Sequence, residues 1–427
     1  MTWAAADALL LRGGTIVTSA GRRRADVLVR AGVIEAIGAS LLAPGGARVE
    51  DVQGLLLVPG FVDVHVHLRD PGAPDSETLE SGLEAAAAGG IHHVFCMANT
   101  DPVNDAPQLT ADLVARARRL SPLALHPVAA VTRGLRGTEL SDFNALRAAG
   151  AGALSNDGLP VEDVPTLQRA LERAEAAGLR ILVHAEDRGL AEGGAVDARV
   201  AARLRTKGIP VEAEDVGAAR DVGTAVEARL PIHVCHVSTA GAVGIVRHAR
   251  REGARITAEA TPHHLALTYD DIPEGDTDFK MNPPLRSRAD VEAVLTGLID
   301  GTITAIATDH APHAPPRKAV PMGEAPFGAI GLETSFAVSH TALVATGRMT
   351  LERLLSLYVD GPASIAGIPA PSIAVGARAE MNLIDAAATF EVTPARLLSR
   401  SRNCPFKGRR LRGRVAGVVA GRSWRRF

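Results

Sequence analysis

Lysine is scarce in this chain of 427 residues. Of the 46 basic residues, four are lysines, so arginine carries almost all of the positive charge. We interpret this as a compositional bias. The formal net charge is −2, which gives no indication of nucleic acid or an anionic membrane surface as a partner. The lysines are Lys207, Lys280, Lys318 and Lys407.

Cysteine is also rare. Cys96, Cys235 and Cys404 are too few and too scattered for a disulfide framework. The first residues lack the basic region and sustained apolar core of a secretory signal peptide. No apolar run reaches the roughly 20 residues that a membrane span needs. With ordinary hydrophobic and charged contents of 46% and 22%, these absences predict a soluble, cytoplasmic protein.

The central part of the chain repeats a strand followed by a helix. Such units predict parallel strands with crossover helices, and six to eight of them favour a closed (β/α)8 TIM-type barrel over an open sheet. No Gly-x-Gly-x-x-Gly motif or phosphate-binding loop supports a nucleotide-binding sheet. The predicted strands are 93–98, 124–131, 180–184, 231–236, 256–260 and 303–309, and the predicted helices include 78–88, 110–120, 164–177 and 289–298.

Both ends of the chain contain short β-rich runs separated by turn signals. The runs 9–18 and 25–34 predict antiparallel hairpins. Because chain ends commonly lie close together, we expect one small β-sandwich domain from residues 1–55 plus 371–427, beside a catalytic barrel of residues 56–370. The Pro-rich segment 315–326 is a candidate lid.

The segment Val58–Gly72 is the one around which the chain is organised. It predicts a short apolar strand that carries His65 and His67. Side chains alternate across a strand, so these two imidazoles leave on the same face and can hold one metal ion. The alternative is that two histidines happen to fall at a polar strand end, since short motifs match by chance.

Further ionisable residues fall where later strands end, which is where barrel active sites lie. Buried strand ends seldom carry such groups unless they are paired or bind a metal, and imidazole with carboxylate suits Zn²⁺ and similar ions. Taken alone, His184 is better interpreted as a core histidine, and Asp157 can be interpreted as an aspartate of a turn. Together the residues are hard to explain without a metal. The set is His65, His67, Asp157, His184, His236 and Asp309.

Other histidines and a cysteine lie near these positions. His233 points away from His236 by strand parity, so one of the two is structural, and Cys235 is interpreted as a small core residue. The pairs His92–His93 and His263–His264 are either on the substrate side or on the surface.

Five segments together resemble the amidohydrolase superfamily and, more closely, the long class I bacterial dihydroorotases. They are Pro59–Arg69, Cys235–Thr239, Thr261–His264, Asn282–Arg286 and Ala307–His313. The resemblance runs nearly end to end and includes Arg400–Phe406. It implies metal ligation by the six residues above. It also implies substrate contacts by Arg69, Asn99, Asn282, His313 and the backbone around Phe327 and Gly328.

Many relatives, hydantoinases and allantoinases among them, bridge two metals with a carboxylated lysine before the strand of His184. Here no lysine precedes Lys207. The class I dihydroorotases place an aspartate at this point, which fits Asp157. Asn156 departs from the pattern, because that class often has a second acidic residue there.

The residues themselves indicate a class of chemistry. A bound metal lowers the pKa of a coordinated water from 15.7 to about 7 and so supplies hydroxide at neutral pH. Asp309 is placed to take the proton of the water and return it to a departing amide nitrogen. The guanidinium of Arg69 matches a carboxylate in two-pronged fashion. Together these features favour a cyclic amide that carries a carboxylate.

The resemblance implies the reaction: reversible, metal-dependent cyclisation of N-carbamoyl-L-aspartate to dihydroorotate in pyrimidine synthesis, with one or two Zn²⁺ per subunit. A homo-oligomer, and a complex with aspartate transcarbamoylase, are expected partners beside the small substrate. One alternative is another cyclic amidohydrolase of the hydantoinase or allantoinase kind. The other is a non-catalytic scaffold for aspartate transcarbamoylase, which loss of a ligand residue would favour.

Overall fold

Two sheets organise the computed structural model, which describes residues 3–427. The strands are β1 (Ala4–Ala5), β2 (Ala8–Thr18), β3 (Gly21–Arg30), β4 (Val33–Gly38), β5 (Arg48–Asp51), β6 (Leu56–Pro59), β7 (Phe61–Val66), β8 (Ile91–Cys96), β9 (Ala124–Ala130), β10 (Ala153–Ser155), β11 (Ile181–Val183), β12 (Val196–Asp197), β13 (Gly208–Ile209), β14 (Ile232–Val234), β15 (Ile256–Ala260), β16 (Ala305–Ile306), β17 (Glu380–Glu391), β18 (Arg410–Ala420) and β19 (Ser423–Arg426).

Helices connect the barrel strands and cover their outer face. They are α1 (Leu79–Ala88), α2 (Pro107–Leu120), α3 (Phe143–Ala148), α4 (Val164–Ala176), α5 (Arg188–Ala191), α6 (Val211–Ala228), α7 (Ala240–Arg251), α8 (Pro262–Ala266), α9 (Arg288–Asp300), α10 (Pro315–Lys318), α11 (Ser335–Ser339), α12 (Leu351–Tyr358) and α13 (Asp360–Ala366). Among residues 3–427, no helix combines the length and the apolar character that crossing a membrane requires.

Helix α4 illustrates how the local sequence produces these elements. Asp163 caps its first turn by accepting a hydrogen bond from the backbone N–H of Thr166 at 2.9 Å. Leu167, Ala170 and Ala174 recur at helical spacing and are buried. The apolar stripe therefore faces the barrel, and the polar positions between face outward.

The parallel sheet runs β7–β8–β9–β10–β11–β14–β15–β16 and is nearly closed into a barrel. Between the first and last strands, the backbone N–H of His67 donates to the carbonyl of His310 at 2.7 Å. At the same seam, Asp63 accepts a hydrogen bond from the backbone N–H of Thr308 at 3.1 Å. The barrel prediction is confirmed.

The second sheet has nine strands and joins both ends of the chain. β1 to β6 come from the first part of the chain, and β17, β18 and β19 from the last. The strand-rich sheet built from the chain ends is therefore confirmed. The domain boundaries at 55/56 and 370/371 stay a prediction, and Met1 and Thr2 of that domain lie outside the described residues. β6, which begins at residue 56, pairs with β2 and β17 of this sheet.

The antiparallel hairpins predicted from the runs 9–18 and 25–34 are confirmed, because β2 pairs antiparallel with β3 and β3 pairs antiparallel with β4. Ala31 and Gly32 have φ of 50° and 85°, a turn that separates β3 from β4. Glycine adopts this left-handed region freely, whereas alanine pays a steric penalty there. The strand predicted over 303–309 is shorter in the structure, because only β16 (Ala305–Ile306) pairs with β15.

Candidate metal centre and active site

The six predicted ligand residues lie together at the carboxyl ends of the barrel strands. His65 is on β7 and His67 directly follows it. The other four come just after β10, β11, β14 and β16, and all six side chains are buried. Carboxyl ends of parallel strands meet at one end of a barrel, which is why residues far apart in sequence converge here.

Asp157 occupies the middle of the cluster. Its Oδ1 lies 3.5 Å from His65 Nε2, 3.6 Å from His184 Nδ1 and 3.4 Å from His236 Nε2. Its Oδ2 lies 3.3 Å from His67 Nε2. One carboxylate thus approaches all four imidazoles: Oδ1 faces three of them, and Oδ2 faces the fourth.

Asp309 closes the other side of the cluster. Its Oδ1 lies 3.1 Å from His67 Nε2 and 3.5 Å from His65 Nε2. Burial alone raises the pKa of both Asp157 and Asp309, but hydrogen bonds and charges of the surrounding histidines outweigh it and lower both pKa values. Both side chains are therefore carboxylates at neutral pH.

Two overlapping groups of these residues have the spacing of a metal site. They are His65, His67, Asp309 and His65, Asp157, His236, and within each group the potential ligand atoms lie within 4.8 Å of one another. Imidazole nitrogen and carboxylate oxygen are donors that zinc and similar divalent ions accept. The cluster can therefore hold a metal ion.

A carboxylate behind His65 fixes that imidazole for ligation. Glu259 on β15 is fully buried, and its Oε1 accepts a hydrogen bond from His65 Nδ1 at 2.9 Å. The opposite nitrogen, His65 Nε2, is buried and has no hydrogen-bond partner among residues 3–427. Donation from Nδ1 leaves the lone pair of Nε2 directed at the cluster, the arrangement that metal-binding histidines use. The residues present fit a metal.

Glu259 also holds a second histidine. Its Oε2 lies 3.0 Å from His233 Nε2, and His233 Nδ1 lies 2.9 Å from Thr257 Oγ1. His233 therefore has the structural role expected from strand parity. Burial of Glu259 raises its pKa, but the hydrogen bonds and charges of His233 and His65 outweigh this effect and lower the pKa to about 2.

Cys235 forms a third grouping with His65 and Glu259. Burial raises the pKa of its thiol, so the sulfur stays protonated and is a poor ligand. It packs in the barrel interior with Val62 and Phe95. The interpretation of Cys235 as a core residue agrees with this environment.

Asp63 links β7, which carries His65, to the segment after β16 that leads to Asp309. Its carboxylate accepts hydrogen bonds from the backbone N–H of His65 and of Thr308, both at 3.1 Å. His236 and Asp309 have φ of 35° and 46°, conformations that cost non-glycine residues energy and persist only when the surroundings enforce them. At these two positions, one after β14 and one after β16, the surrounding fold therefore fixes the direction of the side chain.

A cavity of about 750 Å³ opens over the cluster. All six residues predicted to contact substrate line it: Arg69, Asn99, Asn282, His313, Phe327 and Gly328. His67, Asp157, His184 and Asp309 line it too, whereas His65 and His236 lie behind them. The cavity is thus lined by all six predicted substrate residues and by four of the six predicted ligands.

Arg69 brings a positive charge to this cavity, and His313 lies beside it. Arg69 Nη2 lies 3.4 Å from His313 Nε2, and its Nε donates to the carbonyl of Pro312 at 3.3 Å. His313 Nε2 donates to the carbonyl of Phe327 at 2.7 Å. Burial and the charge of Arg69 lower the pKa of His313 to about 3, so this imidazole is neutral.

Gly328 is at a position where only glycine fits. Its φ is 137°, and a Cβ there meets the Ala311 carbonyl oxygen at 2.7 Å. Asn403 donates to the carbonyls of Ala311 and Gly328 at 3.0 Å each. The segment Arg400–Phe406, noticed only through the resemblance, thereby fixes the rim of the cavity.

Two predicted substrate residues also position other side chains. Asn99 Oδ1 accepts from His67 Nδ1 at 2.8 Å. Asn282 Nδ2 donates to Glu186 Oε1 at 2.9 Å and lies 3.3 Å from His184 Nε2. Glu186 lines the cavity and was missed from the sequence, although it stands only two residues after His184.

The remaining histidine pairs are inside the protein. His263 and His264 are 3% and 2% exposed, and neither lines the cavity. His264 bonds Thr261 and the carbonyl of Pro283. His92 is buried against Asn382. The expectation of a surface position is wrong for these three residues, because all three side chains are buried.

The candidate lid is tied to the rest of the barrel by two buried lysines. Lys318 Nζ donates to the carbonyls of Pro326 and Gly328 at 2.9 Å each. Lys280 Nζ donates to the carbonyl of Met322 at 2.8 Å and lies 4.6 Å from the centre of the Phe327 ring. Two of the four lysines therefore anchor this segment.

Comparisons with known proteins agree with this geometry. The family described as "Dihydro-orotase-like" matches residues 54–242. A dihydroorotase of Anaeromyxobacter dehalogenans (strain 2CP-C) is 45% identical over 420 residues, covering 97% of each chain. A dihydroorotase of Geobacillus sp. (strain WCH70) is 44% identical over 408 residues, covering 95% of this chain and 96% of its own.

Solved structures share the fold. An L-hydantoinase (dihydropyrimidinase) from Arthrobacter aurescens superposes with a TM-score of 0.85 at 26% identity, covering 96% of this chain and 94% of its own. A dihydropyrimidinase from Brevibacillus agri NCHU1002 has a TM-score of 0.83 at 24% identity, covering 98% and 94%.

Proposed function

The chain belongs to the dihydroorotase family of cyclic amidohydrolases, and we propose that its site interconverts N-carbamoyl-L-aspartate and dihydroorotate in pyrimidine biosynthesis. The observation that supports this most is the composition of one cavity. It combines an imidazole–carboxylate cluster suited to a metal with a guanidinium suited to a carboxylate. A carboxylate-bearing cyclic amide needs both.

In this proposal His65, His67, Asp157, His184, His236 and Asp309 would hold zinc, one or two ions per subunit. The metal supplies activation of water and polarisation of the reacting carbonyl. His65 Nδ1 donates a hydrogen bond to Glu259, and His67 Nδ1 donates one to Asn99. These hydrogen bonds set which imidazole nitrogen faces the cluster.

Asp309 moves the proton. In ring opening, its carboxylate takes a proton from water as the water oxygen bonds to the ring carbonyl carbon. It then gives that proton to the ring nitrogen as the carbon–nitrogen bond breaks. Ring closure is the reverse, with loss of water. The lowered pKa of Asp309 keeps the side chain ionised at neutral pH, as a proton acceptor must be.

Arg69 binds the substrate carboxylate, with His313 and the backbone of Phe327 and Gly328 completing that part of the site. Asn282, held by Glu186, binds the substrate beside His184. A neutral His313 adds hydrogen-bonding capacity without a second positive charge.

The substrate assignment is tested by a panel of ring compounds. We expect the purified enzyme to close N-carbamoyl-L-aspartate and open dihydroorotate. Dihydrouracil and hydantoin, which lack the carboxylate, should turn over at least tenfold less efficiently. Better turnover of the uncharged rings would favour the hydantoinase-like alternative. No turnover of any of them by metal-loaded protein would favour the scaffold alternative.

Arg69→Met is expected to act on the charged substrate alone. Loss of a charge-assisted hydrogen-bond partner costs about 1.5–3 kcal/mol, or roughly 10- to 150-fold in kcat/KM. Dihydroorotate should lose this factor and dihydrouracil should not. Arg188→Met, which removes an exposed arginine of the same cavity, is the matched control. Equal losses on both substrates in Arg69→Met would count against carboxylate recognition.

Metal assembly is expected to need Asp157 but no carbon dioxide. An aspartate carboxylate, with an ordinary pKa of about 3.9, is ionised at neutral pH without prior reaction with bicarbonate. Chelated protein should therefore regain zinc and activity equally fast in degassed and bicarbonate-containing buffer, and Asp157→Ala should retain less metal.

Lys207 provides the control for this experiment. It is the first lysine of the chain, and it is exposed and absent from the cavity lining. Lys207→Arg should bind zinc normally. Reconstitution that accelerates with bicarbonate and disappears in Lys207→Arg would overturn the assignment of Asp157.

We also propose a homo-oligomer in the cytoplasm, with aspartate transcarbamoylase as a protein partner. Size-exclusion chromatography with light scattering, alone and with the transcarbamoylase, tests both associations.

A further inference from the structure

Glu186 brings a carboxylate into the cavity over the metal cluster. It belongs neither to the six predicted ligands nor to the six predicted substrate residues. Its side chain is 12% exposed. A largely buried carboxylate costs free energy unless its oxygens are engaged, so the residues that Glu186 contacts indicate its role.

Helix α6 fixes the backbone of Glu186. The helix approaches so closely at Gly217 that a Cβ there would lie 2.6 Å from the carbonyl carbon of Ala185. Arg220 Nη1 donates a hydrogen bond to the backbone carbonyl of Glu186 at 3.2 Å. The carboxylate therefore extends into the cavity from a backbone that packs directly against the helix.

The two side-chain oxygens of Glu186 face two different residues. Oε1 accepts a hydrogen bond from Asn282 Nδ2 at 2.9 Å, and Oε2 lies 3.6 Å from His184 Nε2. The opposite ring nitrogen, His184 Nδ1, lies 3.6 Å from Asp157 Oδ1 and so faces the cluster. Glu186 therefore lies between a predicted ligand and a predicted substrate residue.

The contact with Glu186 determines which end of the Asn282 amide is held by the protein. A carboxylate accepts hydrogen bonds and cannot donate them, so the atom of Asn282 that faces it is the nitrogen. Among residues 3–427, the polar contacts of the Asn282 side chain are made by Nδ2, with Glu186 at 2.9 Å and His184 at 3.3 Å. Since Asn282 lines the cavity, its Oδ1 is left to accept a hydrogen bond from a molecule bound there.

The charges of the cavity orient such a molecule. Arg69 supplies a positive charge and Glu186 a negative one, and both line the cavity. A substrate carboxylate is attracted to Arg69 and repelled by Glu186. The part of the substrate near Glu186 and Asn282 is therefore uncharged, and the N–H groups of a cyclic amide fit the acceptor that Asn282 offers.

We propose that Glu186 is a positioning residue for recognition of the substrate ring: it holds Asn282 so that Oδ1 accepts a hydrogen bond from a ring N–H. This role rests on the dihydroorotase activity proposed above. Without Glu186, the amide can turn its nitrogen toward the ring, where two donors would meet. Glu186 acts through Asn282 and does not touch the substrate, so its loss should raise KM more than it lowers kcat.

Exchange of the two polar groups tests this direction. Asn282→Asp places two carboxylates against each other, and kcat/KM for dihydroorotate should fall about 100-fold or more. Addition of Glu186→Gln restores a donor and an acceptor, because the glutamine nitrogen donates to one aspartate oxygen and the other oxygen still accepts from the ring. This double variant keeps the net charge of the native cavity, and its kcat/KM should exceed that of Asn282→Asp about tenfold or more.

Glu186→Ala should raise KM for dihydroorotate about tenfold or more and lower kcat less. Glu192→Gln changes an exposed glutamate of the same cavity. It is the matched control, and both constants should stay within about twofold of native. Zinc content and the urea unfolding midpoint of Glu186→Ala, measured on the same samples, should match the native protein.

An unimproved double variant that is folded and loaded with zinc would overturn the role of Glu186, because Asn282 would then donate to the substrate. An unchanged KM in Glu186→Ala would overturn it too. Parallel loss of zinc and activity in Glu186→Ala would place the effect on His184 and contradict a role toward the substrate. These results leave the proposed function standing, whereas a native enzyme without dihydroorotate turnover would contradict both.

Discussion

Asp309→Asn is expected to lower kcat for ring opening and ring closure by about 100- to 10,000-fold, the usual contribution of a general acid–base group. Asparagine keeps the size of the side chain and one oxygen, but it cannot accept and return a proton at neutral pH. In the native protein, Nε2 of His67 and Nε2 of His65 lie 3.1 and 3.5 Å from Asp309 Oδ1. The variant keeps both imidazoles, so part of the metal affinity should survive. Steady-state kinetics at matched zinc content provide the measurement.

Two controls make this result interpretable. Asp101→Asn changes an exposed carboxylate on a neighbouring loop that does not line the cavity, and its kcat should stay within about twofold of native. Zinc content measured on the same samples separates lost metal from lost proton transfer. Near-native turnover by Asp309→Asn at full zinc content would contradict the proton-transfer role of Asp309.

Arg286→Met is expected to destabilise the fold by about 3–5 kcal/mol, because breaking a buried ion pair leaves its partner uncompensated. Arg286 is 2% exposed. Its Nη1 donates to Asp197 and to the carbonyl of Ile209, both at 3.1 Å, and its Nε donates to Ser238 at 3.2 Å. Its Nη2 lies 3.6 Å from Glu214. Arg286 therefore joins three segments around the barrel.

Urea denaturation followed by circular dichroism measures this loss. Arg288→Met is the matched control, since it removes an exposed arginine two residues away. It should change the unfolding midpoint little, as most surface substitutions do. Arg199 also bonds Asp197, at 2.6 Å, so a loss near the lower end of the range is expected. An unfolding midpoint equal to that of Arg288→Met would contradict the structural role.

The barrel and the convergence of the six candidate ligand residues were predictable because both depend on regular local patterns. Two-residue spacing placed His65 and His67 on one face, and polar residues at the ends of apolar strands supplied the rest. The same parity also places Asp63 beside His65. Its hydrogen bond to Thr308 was not predictable, because it crosses the barrel seam between residues 245 positions apart.

Glu259 was missed although it carried a signal. A carboxylate in the middle of the apolar run Ile256–Ala260 is unusual for a buried strand. Its significance depends on which histidines face it, and that requires the registers of β14 and β15. The left-handed backbone at His236 and Asp309 was likewise not predictable, because histidine and aspartate adopt it more often than most residues but still at only a small fraction of positions.

The contact between Asn403 and Gly328 shows where local reasoning ends. A Gly-containing loop and an Asn-Cys-Pro segment 75 positions later have no shared pattern, yet their hydrogen bond forms the rim of the cavity. The resemblance to a family drew attention to both segments. Only the fold shows that one holds the other.

The most direct test of the central claim, that the six converging side chains form a metal centre on which ring closure depends, is a zinc titration of chelated protein. Bound zinc and the rate of N-carbamoyl-L-aspartate cyclisation are measured on the same samples. We expect activity to rise in proportion to bound zinc and to saturate at one or two ions per chain. We also expect Asp157→Ala to bind less zinc at every concentration. Undiminished cyclisation by the zinc-free protein, or native zinc binding by Asp157→Ala, would contradict it.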